Sequence, residues 1–187
     1  MLAAPLEPTA GPPMNFPEDQ CKGYGAATIM RVPGRLHITW QDGNTLKVET
    51  DAGTQTKLLH FGGSPSPSEP LQWQGYSVAS WEGLPPRPAQ GRGAAPQGPL
   101  RGYLKLITTR MLPGYLRKNG IPYSSNATVE EYFDRVSEPS GDTWLLVTTI
   151  VTDPQYLNQP YFTHGIFKKL SDASGWDPTP CRADEAR

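Results

Sequence analysis

A chain of 187 residues with 17 lysines and arginines against 18 aspartates and glutamates is long enough for one domain with a sizeable core. Its net charge of -1, with no basic run that interleaves aromatics, excludes a phosphate track for nucleic acid. No apolar run approaches the roughly 20 residues of a membrane helix, so no membrane insertion is expected and the chain reads as soluble.

The 21 prolines and 19 glycines gather before Cys21 and again in residues 62–102, which marks tails and loops. Residues 1–20 read as a proline-rich N-terminal arm. Its first 13 residues lack a basic region followed by an apolar stretch, so no signal peptide is expected in the sequence as it stands, the alternative being a removed signal with a replacement Met1. Residues 24–31 are a first strand candidate. In residues 35–41 (RLHITWQ), Leu36, Ile38 and Trp40 alternate with His37 and Thr39. After the Asp42-Gly43-Asn44 turn, residues 45–50 alternate Leu46 and Val48 with Lys47 and Glu49, and residues 54–61 complete a four-stranded meander. A loop at 62–70 (GGSPSPSEP) leads to a fifth strand at 72–81. Residues 82–102 carry no periodicity and read as a flexible insertion, and 103–110 (YLKLITTR) restores the strand pattern.

Residues 111–126 are irregular, because Pro113-Gly114, Asn119-Gly120 and Pro122 each interrupt a regular element; residues 115–118 would form a short helical turn. Residues 127–136 (ATVEEYFDRV) and 143–152 (TWLLVTTIVT) then read as one antiparallel hairpin around a turn at 137–142. Neither face of its second strand is a clear solvent face, which suits a central strand with a core on one side and a lumen or second layer on the other. Residues 161–170 (YFTHGIFKKL) are the last strand. About nine strands at such spacings, with hardly any helix, predict an all-β fold: an antiparallel up-and-down barrel occupying residues 21–181 as a single domain, followed by a tail at 182–187.

The two cysteines, Cys21 and Cys181, lie near the ends of that domain, and their spacing excludes a CxxC redox or zinc motif. The favoured reading is one structural disulfide clamping the ends, and with it a periplasmic or secreted location; the alternative is two free thiols in a cytosolic protein.

The runs TTRMLPGYLRKNGIPYSSNATVEEYFDR and TTIVTDPQYLNQP, the late FKK, and RVPGRLHITWQDGNTLKVETDAGTQT together resemble a family of uncharacterised exported proteins of soil bacteria. The resemblance covers most of residues 21–181, both cysteines included. It implies export and no particular activity, and the 82–102 insertion looks longer than usual for that type. In strand order the chain is similar to the calycin and lipocalin barrels, an analogy of architecture that does not fix function.

Three histidines, His37, His60 and His164, each stand alone on a strand, so no metal site is expected. There is no GxSxG nucleophile elbow, no GxxxxGK[ST] phosphate loop and no dinucleotide-binding glycine fingerprint, and no cofactor is expected. The five tryptophans read as core rather than as a ligand platform, the alternative being that one in the lumen provides a stacking surface. In residues 127–136, Ala127, Val129, Glu131, Phe133 and Arg135 share one face, and Thr128, Glu130, Tyr132 and Asp134 share the other. If the first face lines a lumen, Glu131 is partly desolvated and suited to acid or base work; the alternative is a carboxylate paired with Arg135 or Arg110. The loop at 110–124 offers Arg110, Tyr115, Arg117, Asn119 and Tyr123 as a barrel mouth, the alternative being that Tyr115 and Tyr123 seal one barrel end. The expected role is binding a small, partly apolar molecule in the lumen, with Tyr132, Arg135 and His164 among the polar groups of the wall. Two further readings are a cofactor-independent hydrolase or isomerase working through Glu131 or His164, and a secreted module whose loops bind a protein or a polysaccharide.

Overall fold

The computed structural model describes residues 20–66, 68–83, 102–117 and 120–182. Residues 1–19 of the N-terminal arm, nearly all of the 82–102 insertion, Asn119 and residues 183–187 lie outside the described residues. Ten strands follow in chain order: β1 (Leu36–Trp40), β2 (Thr45–Thr50), β3 (Gln55–Phe61), β4 (Tyr76–Gly83), β5 (Gly102–Thr109), β6 (Gly114–Tyr115), β7 (Pro122–Tyr123), β8 (Thr128–Ser137), β9 (Thr143–Thr152) and β10 (Tyr161–Lys168). Eight of them form one curled sheet in the order β1-β2-β3-β4-β5-β8-β9-β10, and β6 and β7 form a small hairpin of their own. The fold is all-β and barrel-like.

Two features depart from the expected up-and-down barrel. β3 and β4 run parallel, because the loop between Phe61 and Tyr76 is long enough to cross over rather than turn back. The sheet also stops short of closure: β1 and β10 are its two edges and do not pair.

Period-two alternation puts one face of every strand on the concave side of the curl. Buried there are Val48, Leu59, Ala79, Leu104, Leu106, Phe133 and Val147, which form one continuous apolar cluster. Burying each of the larger of these side chains stabilises the fold by about 1.5–3 kcal/mol. Two buried polar residues of the same face, Ser77 and Thr108, share a hydrogen bond of 2.8 Å between β4 and β5. β8 and β9 pair as the expected hairpin, in the register that sets Glu131 opposite Thr149 and Phe133 opposite Val147.

Residues 24–31, expected as a strand, are not one. They form two 3-10 turns, Lys22–Tyr24 and Ile29–Arg31, laid into one end of the half-barrel as a plug. Tyr24, Ala26, Ala27, Ile29 and Met30 are all buried, so the segment has no solvent face and no alternation to keep it a strand. Its small residues allow the close approach: a Cβ on Gly25 would lie 2.1 Å from the Tyr123 hydroxyl. Residues 111–126 seal the same end. There the expected helical turn is replaced by the β6–β7 hairpin, in which the Leu116 N–H donates to the Ile121 carbonyl at 2.7 Å. Met111, Leu116, Tyr123 and Ala127 form the second apolar cluster.

Cys21 and Cys181 are joined by a disulfide across 160 residues. The bond ties the start of the plug to a tail that runs back along the sheet, where the Thr179 N–H donates to the Asp51 carbonyl at 2.9 Å.

Candidate functional site

The seam between β1 and β10 is filled at one end and open at the other. At the filled end Gly165 of β10 meets the plug; a Cβ there would lie 2.4 Å from the Met30 carbonyl oxygen. At the open end the seam widens into a cleft of about 1040 Å³. Its apolar walls come from Leu36 and Ile38 of β1, Leu145 of β9 and Phe167 of β10, with Trp176 of the tail beyond them.

The tail is held in place by side chains at the β1 end. The Arg35 backbone N–H donates to the Asp51 carboxylate at 2.6 Å and its guanidinium to the same group at 3.3 Å, while the Arg35 Nε lies 2.7 Å from the position of a Cβ on Gly175. Trp176 stands edge-on to His37 with ring centroids 5.9 Å apart. His37 Nδ1 is 3.2 Å from the Glu49 carboxylate. The Glu49 carboxyl is held below its usual range by Lys47 first and by His37 in addition. Asp172, also on the cleft margin, is held low by the Ser174 hydroxyl and by the backbone N–H of the same residue.

The charges of the cleft do not balance. Lys168 pairs with Asp142 at 2.7 Å and lies 5.4 Å from the Trp144 ring, and Arg35 is satisfied by Asp51. The side chains of Arg135, on the concave face next to Leu145, and of Lys169 make no hydrogen bond or ion pair among the described residues, and the cleft also carries the Asp172 carboxylate, so its excess is one positive charge. A planar guanidinium beside apolar walls can take a carboxylate or phosphate through two parallel hydrogen bonds while the rest of a ligand lies on the walls.

The other residues singled out in the sequence are distributed elsewhere. Glu131 faces inward and is wholly buried, but its partner is the Lys57 ammonium of β3, not Arg135 or Arg110. The second oxygen of that carboxylate has no hydrogen-bond partner. His164 lies on the convex face, its Nδ1 3.2 Å from the Thr148 hydroxyl, so Glu131 and His164 are on opposite sides of the sheet. Tyr132 is also on the convex face, donating to the Glu130 carboxylate, with Tyr103 edge-on at 5.4 Å and the Lys105 ammonium 5.5 Å above its ring. The bond to Glu130 raises the Tyr132 phenol, and the bond to Tyr132 raises Lys105.

The 110–124 loop belongs to the plugged end. Arg110 holds a left-handed backbone (φ 57°) and donates to the Glu69 carbonyl. Tyr115 carries Lys22 5.5 Å from its ring, Arg117 donates to the Tyr161 hydroxyl at 2.9 Å, and Tyr123 is fully buried. Of the predicted ligand-binding residues, Arg135 is the one on the wall of the cleft. The seam itself was not foreseen; its sequence signal is the alternation of Leu36, Ile38 and Trp40 in an edge strand.

Among the described residues no group of three or more histidine, cysteine or acidic side chains could hold a metal ion, and no helix is long and apolar enough to cross a membrane. Compared with known proteins, the chain matches no family model, no curated protein and no solved structure.

Proposed function

We propose that the protein is an exported binding protein whose open-end cleft takes a small, partly apolar molecule bearing an anionic group. One observation carries the reading: a cleft of about 1040 Å³ with Leu36, Ile38, Leu145 and Phe167 on its walls leaves the guanidinium of Arg135 without a counter-charge among the described residues. Apolar lining with a few convergent polar groups is the usual composition of a small-molecule site. The disulfide between Cys21 and Cys181 suits an oxidising compartment, which supports the exported half of the reading. Catalysis through Glu131 finds no support in its burial against Lys57.

Thermal unfolding of the oxidised protein against amphipathic carboxylates and their neutral isosteres tests it. A carboxylate present at 100 times its dissociation constant adds about 2.7 kcal/mol to the stability. Arg135→Gln should weaken that ligand at least tenfold and leave the unliganded midpoint nearly unchanged, since the side chain is exposed. Equal shifts from charged and neutral isosteres, or an Arg135→Gln protein that binds as before, would end the proposal.

A further inference from the structure

We infer that the ligand of the cleft is a long-chain carboxylate, whose head meets Arg135 and whose chain leaves along β1 to lie over Trp40, Phe61 and Trp81; the inference rests on the cleft being a binding site. Ile38 lines the cleft and shares the concave face of β1 with Trp40 two residues on. From Trp40 the apolar surface continues without a break: its ring is 5.4 Å from that of Phe61 on β3, which is 5.9 Å from that of Trp81 on β4. Both tryptophans face inward by register, Trp40 opposite Leu46 and Trp81 opposite Leu104, yet they remain 56% and 66% exposed. Large apolar rings left open on a concave face form a surface that water wets at a cost and that an apolar chain relieves.

The distribution of charge selects the class of ligand. Along the inward positions of β1 to β4 the single charged side chain is Lys57, which is buried and paired with Glu131. The two cations without an ion pair, Arg135 and Lys169, both stand at the cleft end, where Asp172 is the one carboxylate beside them and a net positive charge remains. A site positive at one end and uncharged along its length matches a molecule with an anion at one end and methylenes behind it. From β1 to β4 is three strand spacings, about 14 Å along the sheet, which adds to the width of the cleft between Arg135 and β1, so an octanoate chain ends before the rings and a hexadecanoate chain reaches onto them.

Calorimetric titration with octanoate and hexadecanoate, each below its critical micelle concentration, tests the inference on the native protein and on a Trp40→Ala/Trp81→Ala variant. Full burial is worth roughly a fourfold gain in affinity per methylene, so partial cover should make hexadecanoate at least tenfold tighter than octanoate. The variant should reduce that preference to about threefold or less and leave octanoate binding in place. As a second readout, hexadecanoate brominated at its far end should quench the native fluorescence and lose most of that quenching in Trp40→Phe/Trp81→Phe. A chain-length preference that survives the alanine variant, with quenching unchanged in the phenylalanine one, overturns the inference while the cleft remains a site for anions. Absence of any carboxylate binding overturns both.

Discussion

The two ends of the half-barrel are made from the same alternating strands and differ in what the chain supplies to cover them. At one end the plug of residues 24–32 and the β6–β7 hairpin bury Tyr24, Met30, Leu116 and Tyr123, and backbone groups are taken up across it, as where the Ala26 N–H meets the Trp73 carbonyl at 2.9 Å. At the other end the same concave face runs out into Trp40, Trp81 and Arg135 with no described segment over them. The plugged end has its apolar side chains covered, while the open end keeps apolar surface and an unpaired cation accessible. A binding site is expected where the second condition holds.

Cutting the tie between plug and tail should have the largest effect. The disulfide closes a loop of 160 residues, and loop entropy assigns it about 5 kcal/mol. A Cys21→Ala/Cys181→Ala protein should lose most of that in urea unfolding. It should also lose affinity at the cleft, because Trp176 and Asp172 on the tail line it. A loss under about 1 kcal/mol would mean that the bonds at Thr179 and Arg182 hold the tail without the disulfide.

A somewhat smaller effect is expected from the buried pair midway between the ends. Glu131→Leu strands the Lys57 ammonium in an apolar core and should cost about 3–5 kcal/mol. The Lys57→Met/Glu131→Leu double variant should regain most of it, since well-packed apolar replacements for a buried pair are often neutral or better. Urea midpoints of the two single variants and the double one give the coupling. Additive losses would show that each side chain is held by something other than its partner.

Much of the sheet was legible in the sequence because most of its strands are half-buried and keep a clean period of two. Residues 143–152 were placed to the residue and 127–136 to within one, while the choice of Val129, Glu131 and Phe133 as the inward face waited on the register. The plug was not legible: Tyr24 and Ile29 have strand-forming side chains, and only contact on all sides, a tertiary property, turns them into 3-10 turns. Lys57 was missed as the partner of Glu131 because the two residues are separated by β4 and β5 in the sheet, a distance that no local pattern encodes. The cleft depends on which strands fail to pair, and β1 and β10 look in sequence like strands that could close a barrel.

The smallest expected effect sharpens the view of the plugged end. The Tyr123 hydroxyl is fully buried with no hydrogen-bond partner, enclosed where a Cβ on Gly25 or Gly114 would lie 2.1 Å or 2.7 Å from it. Burial pushes its phenol up from the ordinary value of 10.0. The folded protein therefore keeps the Tyr123 proton where the unfolded chain gives it up, so this contribution to stability is complete below pH 10 and is lost as the pH rises beyond it. Tyr123→Phe removes a hydroxyl that gave up its water on folding and gained no bond, and should raise stability near pH 7 by about 1 kcal/mol. The variant has no phenol to titrate at this site, so its advantage over the native protein should widen by up to about 1.4 kcal/mol per pH unit above pH 10. Urea midpoints at pH 7, 9 and 10.5 on both proteins measure this, and because the other tyrosines are common to both they cancel in the difference. A Tyr123→Phe protein less stable than the native one at pH 7 would show that the hydroxyl has a partner at the plugged end, and that this end is held by polar contacts as well as by packing.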